Sequence, residues 1–429
     1  MFPPQQASLK SSITPDSFLH IPQSQSPLSA PSSSNNDYII FFIPGNPGLI
    51  SYYHSFLSLL SDPKTSPGTS GCAIAGLSLG GFEVSRAKPG DGGRGEDQGQ
   101  EKRIFPAVTE ASKAKGKGSV YSLRQQIDLT AQRLKTLVET LSLQHQQQSH
   151  PSTSLADDDT PPPRCKVILI GHSVGAYIAL EVLRMHRQNQ NQNQKLKLWR
   201  RHSPPPTLID HEGEESAPAP RADFEISAAV LLTPTIVDIA LSSSGRVLSP
   251  LLRYTPGSPL LISLAARLIT TLLPGSWLKM LVRIVMGADT PDGAVGSTID
   301  FLRSKDGVRQ SLGMARDEMV EIGGDGWGGE VWGVVGGEES MKDDLEGGGG
   351  GEDEREKVDL LFYFAKRDHW VADQTREAII RRRGGKERVG RPRMVVAEAD
   401  ELVHGWCIRH SGGVAGTVDG WVEEIIKGR

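Results

Sequence analysis

The segment 167–184 constrains the fold of this chain more than any other. It reads Val-Ile-Leu-Ile-Gly-His-Ser-Val-Gly-Ala-Tyr-Ile-Ala-Leu-Glu-Val-Leu-Arg, so a Gly-x-Ser-x-Gly pentad separates an apolar run from residues with helical spacing. The pattern predicts a buried strand, a tight turn and a helix, with Ser173 strained at the turn and its side chain exposed. Gly171 and Gly175 are needed because a Cβ at either position would collide with the neighbouring strand and helix. Ser173 is therefore the candidate nucleophile, and the amide of Val174, which opens the helix, is a candidate oxyanion donor.

A second match to the same pentad occupies residues 76–80. The residues after Gly80 are rich in Gly, with Lys, Pro and Asp, and they cannot form the helix that a nucleophile turn requires. We therefore interpret Ser78 as part of a strand end and a loop.

Composition favours a single α/β domain with insertions over two domains, although 429 residues could hold either. The net charge of −4 argues against nucleic-acid binding. The three cysteines form no C-x-x-C pair, which suits a reducing compartment without disulfides. We expect no secretory signal, and no membrane span, because no stretch of about 18 apolar residues occurs. We also expect no metal or organic cofactor, since His and Cys do not cluster at ligand spacing.

Low-complexity segments interrupt the predicted domain. Residues 1–36 are rich in Ser, Pro and Gln and are predicted to be disordered, so the domain covers residues 37–429. Four insertions that are predicted to lie outside the core fall near residues 84–118, 144–163, 188–220 and 323–356.

Apolar runs alternate with segments of helical spacing over most of the chain. The runs predicted as strands are residues 38–43, 72–77, 165–170, 226–232, 358–365 and 394–397. Helices are predicted over 49–60, from residue 121 to 141, after the pentad, and near 414–427. This alternation predicts a mostly parallel sheet covered by helices on both faces.

The first of these strands ends at Pro44-Gly45-Asn46-Pro47-Gly48. A loop after an early strand is where this kind of fold places its second oxyanion donor. Pro47 has no N–H, so Asn46 is the candidate that remains. A merely structural turn would explain the prolines and glycines equally well.

A serine nucleophile needs a base within hydrogen-bond reach and a carboxylate that orients the base. Both should lie beyond the carboxyl ends of later strands. Asp368 follows the predicted strand 358–365, and His404 follows the strand 394–397. The order Ser173, Asp368, His404 is the one that α/β-hydrolases use. Competing candidates that are less well placed are Asp373, His369 and His410.

Residues 247–286 are the most apolar part of the chain and form two segments separated by Pro274-Gly275. Each carries a narrow polar stripe, one with Arg267 and the other with Lys279 and Arg283. Two hypotheses fit this pattern: a lid packed over an acyl pocket, or a hairpin that lies in a phospholipid monolayer with its cations at anionic headgroups.

Taken together, these patches resemble the lipid droplet-associated hydrolases, serine lipid hydrolases of the α/β-hydrolase fold. The motifs that carry the resemblance are Pro44-Gly45-Asn46-Pro47-Gly48 with Tyr52-Tyr53, Tyr121-Ser122-Leu123, Gly171-His172-Ser173-Val174-Gly175, Leu232-Thr233-Pro234-Thr235-Ile236, Asp368-His369-Trp370 and His404. The resemblance implies that Ser173, Asp368 and His404 are nucleophile, acid and base. It also implies lipid esters as substrates and a location at lipid droplets and the endoplasmic reticulum, with the cytoplasm as the other compartment.

The sequence therefore predicts an esterase or lipase-type enzyme that works through an acyl-enzyme at a lipid surface. An alternative from another class is a lipid-droplet surface protein whose hydrolase fold serves as a scaffold with little turnover.

Overall fold

A single mixed sheet organises the structure, a computed structural model that describes residues 9–22, 37–84, 120–149, 164–202, 224–332, 358–384, 392–398 and 402–428. Within these residues the strands are β1 Ser12–Thr14, β2 Ser17–His20, β3 Tyr38–Ile43, β4 Ala73–Leu77, β5 Cys165–His172, β6 Phe224–Leu232, β7 Asp359–Phe364 and β8 Arg393–Val396. Their order across the sheet is β1-β2-β4-β3-β5-β6-β7-β8. The pairs from β4 to β8 are parallel, and β1 and β2 add an antiparallel edge.

The helices follow the strands in the alternation expected of an α/β fold. They are α1 His54–Ser61, α2 Leu123–Ser149, α3 Val174–His202, α4 Ser243–Tyr254, α5 Ser258–Leu272, α6 Gly275–Met286, α7 Asp292–Arg303, α8 Gly307–Glu321, α9 Gly329–Trp332, α10 Asp373–Arg383 and α11 Ser411–Lys427. Helices α4 to α9 all lie between β6 and β7 in the chain, and they include the predicted cap.

Both faces of the sheet are buried, because successive side chains of the central strands point in opposite directions. In β3, Ile39 and Phe41 belong to the core on one face, with α2 and α3, whereas Ile40 and Phe42 belong to the other, with α1 and α11. The predicted fold class, a mostly parallel sheet with helices on both faces, is confirmed.

The prediction that residues 1–36 are disordered is wrong for residues 9–22. Strand β2 pairs antiparallel with β4, and its Phe18 and Leu19 are buried. The apolar run in this segment is short and is surrounded by Ser-, Pro- and Gln-rich residues, so composition predicted disorder. Its strand partner lies more than 50 residues away in the sequence. Residues 1–8 and 23–36 lie outside the described residues.

Three of the predicted insertions also begin later than expected. The helices α2 and α3 continue to Ser149 and His202, because Gln- and Lys-rich sequence without Gly or Pro sustains a helix. In the fourth segment, Trp327 and Trp332 are buried, and Trp332 stacks on Phe362 of β7. Residues 85–118, 150–163, 203–220 and 333–356 of the four segments lie outside the described residues.

No helix in the described ranges is both long enough and apolar enough to cross a membrane.

Candidate active site

The turn between β5 and α3 has the strained geometry that the pentad predicts. Ser173 has a φ of 55°, in the left-handed region that side chains other than Gly seldom adopt. A Cβ on Gly171 would lie 2.4 Å from the carbonyl oxygen of Gly175, and one on Gly175 would lie 2.3 Å from that of Ile43. Glycine is therefore required on both sides of Ser173. The expected exposure of Ser173 is wrong, because only 7% of the residue is accessible.

The close approach of Gly175 to the end of β3 makes a specific stability prediction. Gly175→Ala is expected to lower the free energy of unfolding by about 3 kcal/mol, because the new methyl group would overlap backbone carbonyls of Ile43 and Pro44. Gly416→Ala on α11 is the matched control, since a Cβ there meets nothing within 4 Å. That control is expected to gain about 0.8 kcal/mol from helix propensity. Urea titration of both variants measures the difference, and equal behaviour would contradict the packing argument.

Three side chains from three loops form one hydrogen-bonded chain at the carboxyl edge of the sheet. His404 Nε2 lies 2.9 Å from Ser173 Oγ, and His404 Nδ1 lies 2.8 Å from Asp368 Oδ2. Since a carboxylate oxygen can only accept here, Nδ1 carries the hydrogen and Nε2 is free to accept the Ser173 proton. The arrangement has the geometry of a nucleophile, a base and an orienting acid.

The carboxyl of Asp368 is held in its ionised form. Burial raises its pKa, but the interaction with His404 and the hydrogen bond from Trp370 N outweigh burial and bring the pKa below its usual value. Its Oδ1 accepts from the amides of Trp370 at 2.8 Å and Val371 at 3.2 Å. An ionised Asp368 keeps the proton of His404 on Nδ1.

The competing candidates are not part of this hydrogen-bonded chain. Asp373 is two-thirds exposed at the start of α10 and pairs with Arg376. His410 is the residue before α11, and its amide donates to Trp406 O. The ring of His369 lies beside the His404 ring, with centroids 5.8 Å apart, and its carbonyl accepts from Ser244 N. Ser78 is buried at a strand end and accepts from Ile50 N, as its interpretation as a structural residue requires.

A buried chain of hydrogen bonds through His172 and Tyr53, called the relay below, lies next to the candidate triad. His172 Nε2 donates to His404 O at 2.8 Å, so its Nδ1 must accept from the Tyr53 hydroxyl at 2.7 Å. The same hydroxyl accepts from Gly45 N at 3.0 Å. Burial lowers the pKa of His172 to about 3, which keeps its ring neutral. The relay links the loop of Asn46 to the loop of His404, and sequence reasoning assigned His172 no role.

Both predicted oxyanion donors lie next to Ser173. Val174 begins α3, and a Cβ on Gly45 would come within 2.9 Å of Ser173 Cβ, so the Asn46 loop lies directly against Ser173. Among the backbone hydrogen bonds of the described loops, neither the Asn46 amide nor the Val174 amide is a donor. Both amides therefore remain candidates for stabilising an oxyanion.

The side chain of Asn46 is held by helix α8, a contact that the sequence analysis missed. Its Nδ2 donates to Ser311 O at 3.0 Å and to Glu318 Oε1 at 2.9 Å, and its Oδ1 accepts from Ser311 Oγ at 2.7 Å. A signal was available, because Val308, Ser311, Ala315, Glu318 and Ile322 follow a 3-4-3-4 spacing. Polar residues at two positions of an otherwise apolar helical stripe mark a buried polar contact.

No group of three or more His, Cys, Asp or Glu side chains in the described ranges is arranged to hold a metal ion.

Comparison with known proteins gives one match to a protein family and several similar structures. The structures include a carboxylesterase of the thaumarchaeon Nitrososphaera gargenis, at 11% identity and a TM-score of 0.44 over 98% of this chain and 99% of that one. A peroxisomal alpha-beta-hydrolase of Saccharomyces cerevisiae matches at 11% identity and a TM-score of 0.44, over 97% of this chain and 90% of that one. A model of the family described as lipid-droplet associated hydrolase matches residues 36–407. Because this match extends over most of the chain, the protein belongs to the lipid-droplet associated hydrolases.

Proposed function

We propose that this protein is a serine hydrolase of lipid esters that works through Ser173, His404 and Asp368. The observation that carries the proposal is the hydrogen-bonded chain from Ser173 Oγ through the His404 ring to the Asp368 carboxylate. Neither the family match nor the fold assigns these roles. The triad geometry is the independent support for them.

The chemistry follows from the positions of these atoms. His404 Nε2 takes the proton of Ser173 as Oγ attacks the ester carbonyl carbon, and the carbonyl π pair moves onto the oxygen. The amides of Val174 and Asn46 stabilise this oxyanion. When the tetrahedral intermediate collapses, the alcohol leaves with the proton from His404. Water, activated by the same base, then hydrolyses the acyl-enzyme.

A fluorophosphonate probe tests the reaction class directly, because it forms a covalent bond with an activated serine. Wild-type protein is expected to be labelled at Ser173, and hydrolysis of a panel of acylglycerols and sterol esters should identify the alcohol and the acyl length. Absence of labelling in folded protein would contradict the proposal and favour the scaffold alternative.

The outer surface of helices α4 to α6 is the feature that supports action at a lipid surface. Fifteen of the twenty exposed large apolar side chains in the described ranges lie within residues 247–286. In α5, the polar Ser263 and Thr270 are buried, whereas Leu268 and Leu272 are 60% and 71% exposed. The helix therefore buries two residues of its polar stripe against the protein, whereas Arg267 and most of its apolar side chains are exposed. Exposed apolar surface of this extent marks an interaction site.

The charge of this surface suits phospholipid. Residues 247–286 contain Arg253, Arg267, Lys279 and Arg283 and no Asp or Glu. Arg283 pairs with Asp292 of α7, and the other three cations lie among exposed apolar side chains. An apolar face with cations around it fits a monolayer with anionic headgroups. Of the two hypotheses for this segment, the outward apolar face favours docking on a monolayer over a lid alone.

Replacing exposed apolar residues on this surface is expected to abolish binding to lipid droplets without loss of catalysis. The combined variant Leu268→Ser, Leu272→Ser and Ile284→Ser should reduce flotation with phospholipid-coated triacylglycerol droplets at least tenfold, since each side chain contributes about 1.5 kcal/mol or more when buried in lipid. Hydrolysis of a soluble short-chain ester should stay within about twofold of wild type. Leu278 is avoided because it is buried against α7, with Val295.

The matched control replaces three residues that are equally exposed elsewhere: Ile13, Leu143 and Val320. It should float like wild type. If the α5 and α6 variant also floats like wild type, the droplet is bound through another part of the chain.

A further inference from the structure

Helix α8 places a buried carboxyl group beside the proposed oxyanion loop, and the proposed mechanism gives this group no role. Glu318 is 4% exposed, and its hydrogen-bond partner is Asn46 Nδ2 at 2.9 Å. Among the ion pairs of the described ranges, none includes Glu318. A buried carboxylate without a cation is costly, and such a group takes up a proton instead.

The Asn46 side chain is fixed in one orientation by this helix. Both hydrogens of its Nδ2 are used, on Ser311 O and Glu318 Oε1, and its Oδ1 accepts from Ser311 Oγ. Rotation of the amide by 180° would set its NH₂ group against the Ser311 hydroxyl and its oxygen against two acceptors. These side-chain hydrogen bonds therefore hold the backbone of Asn46 in place. They join Asn46 to Glu318, a residue 272 positions away in the sequence.

The backbone side of the same loop is anchored separately. The Gly45 amide donates to the Tyr53 hydroxyl, and a Cβ on Gly45 would touch Ser173 Cβ. The Asn46 amide lies between these two anchors, so its direction depends on both. Because a hydrogen bond to an oxyanion weakens steeply with misalignment, loss of either anchor should reduce turnover more than ester binding.

The charge state of Glu318 also affects how well the site can stabilise an oxyanion. A neutral acid can accept from Asn46 through its carbonyl oxygen and adds no charge beside the oxyanion. An ionised Glu318 would keep the hydrogen bond but would repel the negative charge that develops on the ester oxygen.

We propose that Ser311 and Glu318 are positioning residues that aim the Asn46 amide at the oxyanion, and that Glu318 does this as a neutral carboxylic acid. This inference rests on the proposed hydrolase function and extends it to helix α8.

The surroundings agree with a neutral acid. Burial raises the pKa of Glu318, the Asn46 hydrogen bond lowers it, and the nearby Asp317 raises it again, to about 8 overall. Helix α8 carries three other charged side chains, Arg309, Arg316 and Glu321. The helices that pack against α8 carry Arg246 and Arg253 on α4, Arg267 on α5, and Asp292, Asp300 and Arg303 on α7. Those on the nearer part of α2 are Arg124, Asp128, Arg133, Lys135 and Glu139. None of these cations forms an ion pair with Glu318 within the described ranges.

Substitutions at Glu318 separate the positioning role from a structural one. Glu318→Ala removes the acceptor and is expected to lower kcat for a soluble ester on the order of 10- to 100-fold with KM within about twofold, less than loss of a whole oxyanion donor. Glu318→Gln keeps an acceptor oxygen and should restore most of the rate. Ser311→Ala should lower kcat in the same way as Glu318→Ala. The matched control is Glu321→Gln, an exposed carboxyl on the same helix, with wild-type kcat.

The pH profile tests the neutral state. Wild-type kcat should fall as pH rises through about 8, and Glu318→Gln should lack this fall. If the variant falls in the same way, or if folded Glu318→Ala has wild-type kcat, the proposal is wrong.

Thermal stability tests the protonation without any activity, which keeps this proposal separable from the hydrolase function. With a folded pKa of about 8 and an ordinary value of 4.5, Glu318 holds a proton in the native state that the unfolded chain releases. Its contribution to stability is therefore complete below pH 4.5 and is lost as pH rises toward 8. The Tm of wild type should fall relative to that of Glu318→Gln across this window. A Tm difference that does not change with pH would overturn the neutral-acid proposal even in a catalytically silent protein.

Discussion

Ser173→Ala is expected to abolish ester hydrolysis, with a loss of kcat on the order of 10⁶-fold, and to prevent labelling by a fluorophosphonate. The reason is that Ser173 Oγ is the hydroxyl that lies 2.9 Å from His404 Nε2, and alanine has none. Folding should be preserved, because the change removes one hydrogen bond, worth about 1 kcal/mol, and leaves no cavity of consequence. The measurements are kcat on a soluble ester and the circular dichroism melting curve of each protein.

The control for this variant is Ser78→Ala, in the second Gly-x-Ser-x-Gly match. Ser78 is buried and accepts from Ile50 N, so its loss should lower stability by about 1–3 kcal/mol while kcat of the folded fraction is retained. Activity that survives in Ser173→Ala, or that is lost only in Ser78→Ala, would show that Ser173 is not the nucleophile.

Asp368→Asn is expected to reduce kcat about 10⁴-fold while the fold is kept. The new side-chain amide can donate to His404 Nδ1, which stabilises the tautomer with its hydrogen on Nε2. In that tautomer Nε2 faces Ser173 Oγ as a donor and cannot accept its proton. The pH dependence of kcat and the thermal melting curve should be measured together, so that loss of turnover is separated from loss of structure.

Asp373→Asn is the matched control, because it makes the same chemical change five residues further along. Asp373 is largely exposed and pairs with the buried Arg376 of α10, a contact worth about 1 kcal/mol. Its kcat should stay within about twofold of wild type. A large loss in this variant together with normal turnover in Asp368→Asn would show that the orienting carboxylate is Asp373.

The local patterns of the chain predicted much of the frame in which these residues lie. The pentad predicted the turn at Ser173, since the need for glycine at 171 and 175 follows from the close contact of adjacent elements. The positions of Asp368 and His404 were predicted from strand ends, because the carboxyl ends of parallel strands meet along one edge of a sheet. Both inferences use spacing along the chain, which a single sequence contains.

Three features of the molecule depended on contacts between distant residues. Strand β2 forms because the edge of β4 offers it a hydrogen-bonding partner, which the composition of residues 9–22 does not reveal. Most apolar side chains of residues 247–286 face outward because α5 packs on α7 and α8 with Ser263 and Thr270 buried, and helical periodicity does not say which side of a helix meets the protein.

The environment of Glu318 is the third such feature. Its carboxyl is buried beside Asn46 only because α8 and the loop after β3 meet in space. The sequence by itself indicated which residues are candidates for the chemistry, since the proposed nucleophile, acid and base each follow a recognisable local element. The tertiary structure alone decided which groups are buried, which are paired and which apolar side chains face outward, because burial and hydrogen bonding join residues that have no fixed relation along the chain.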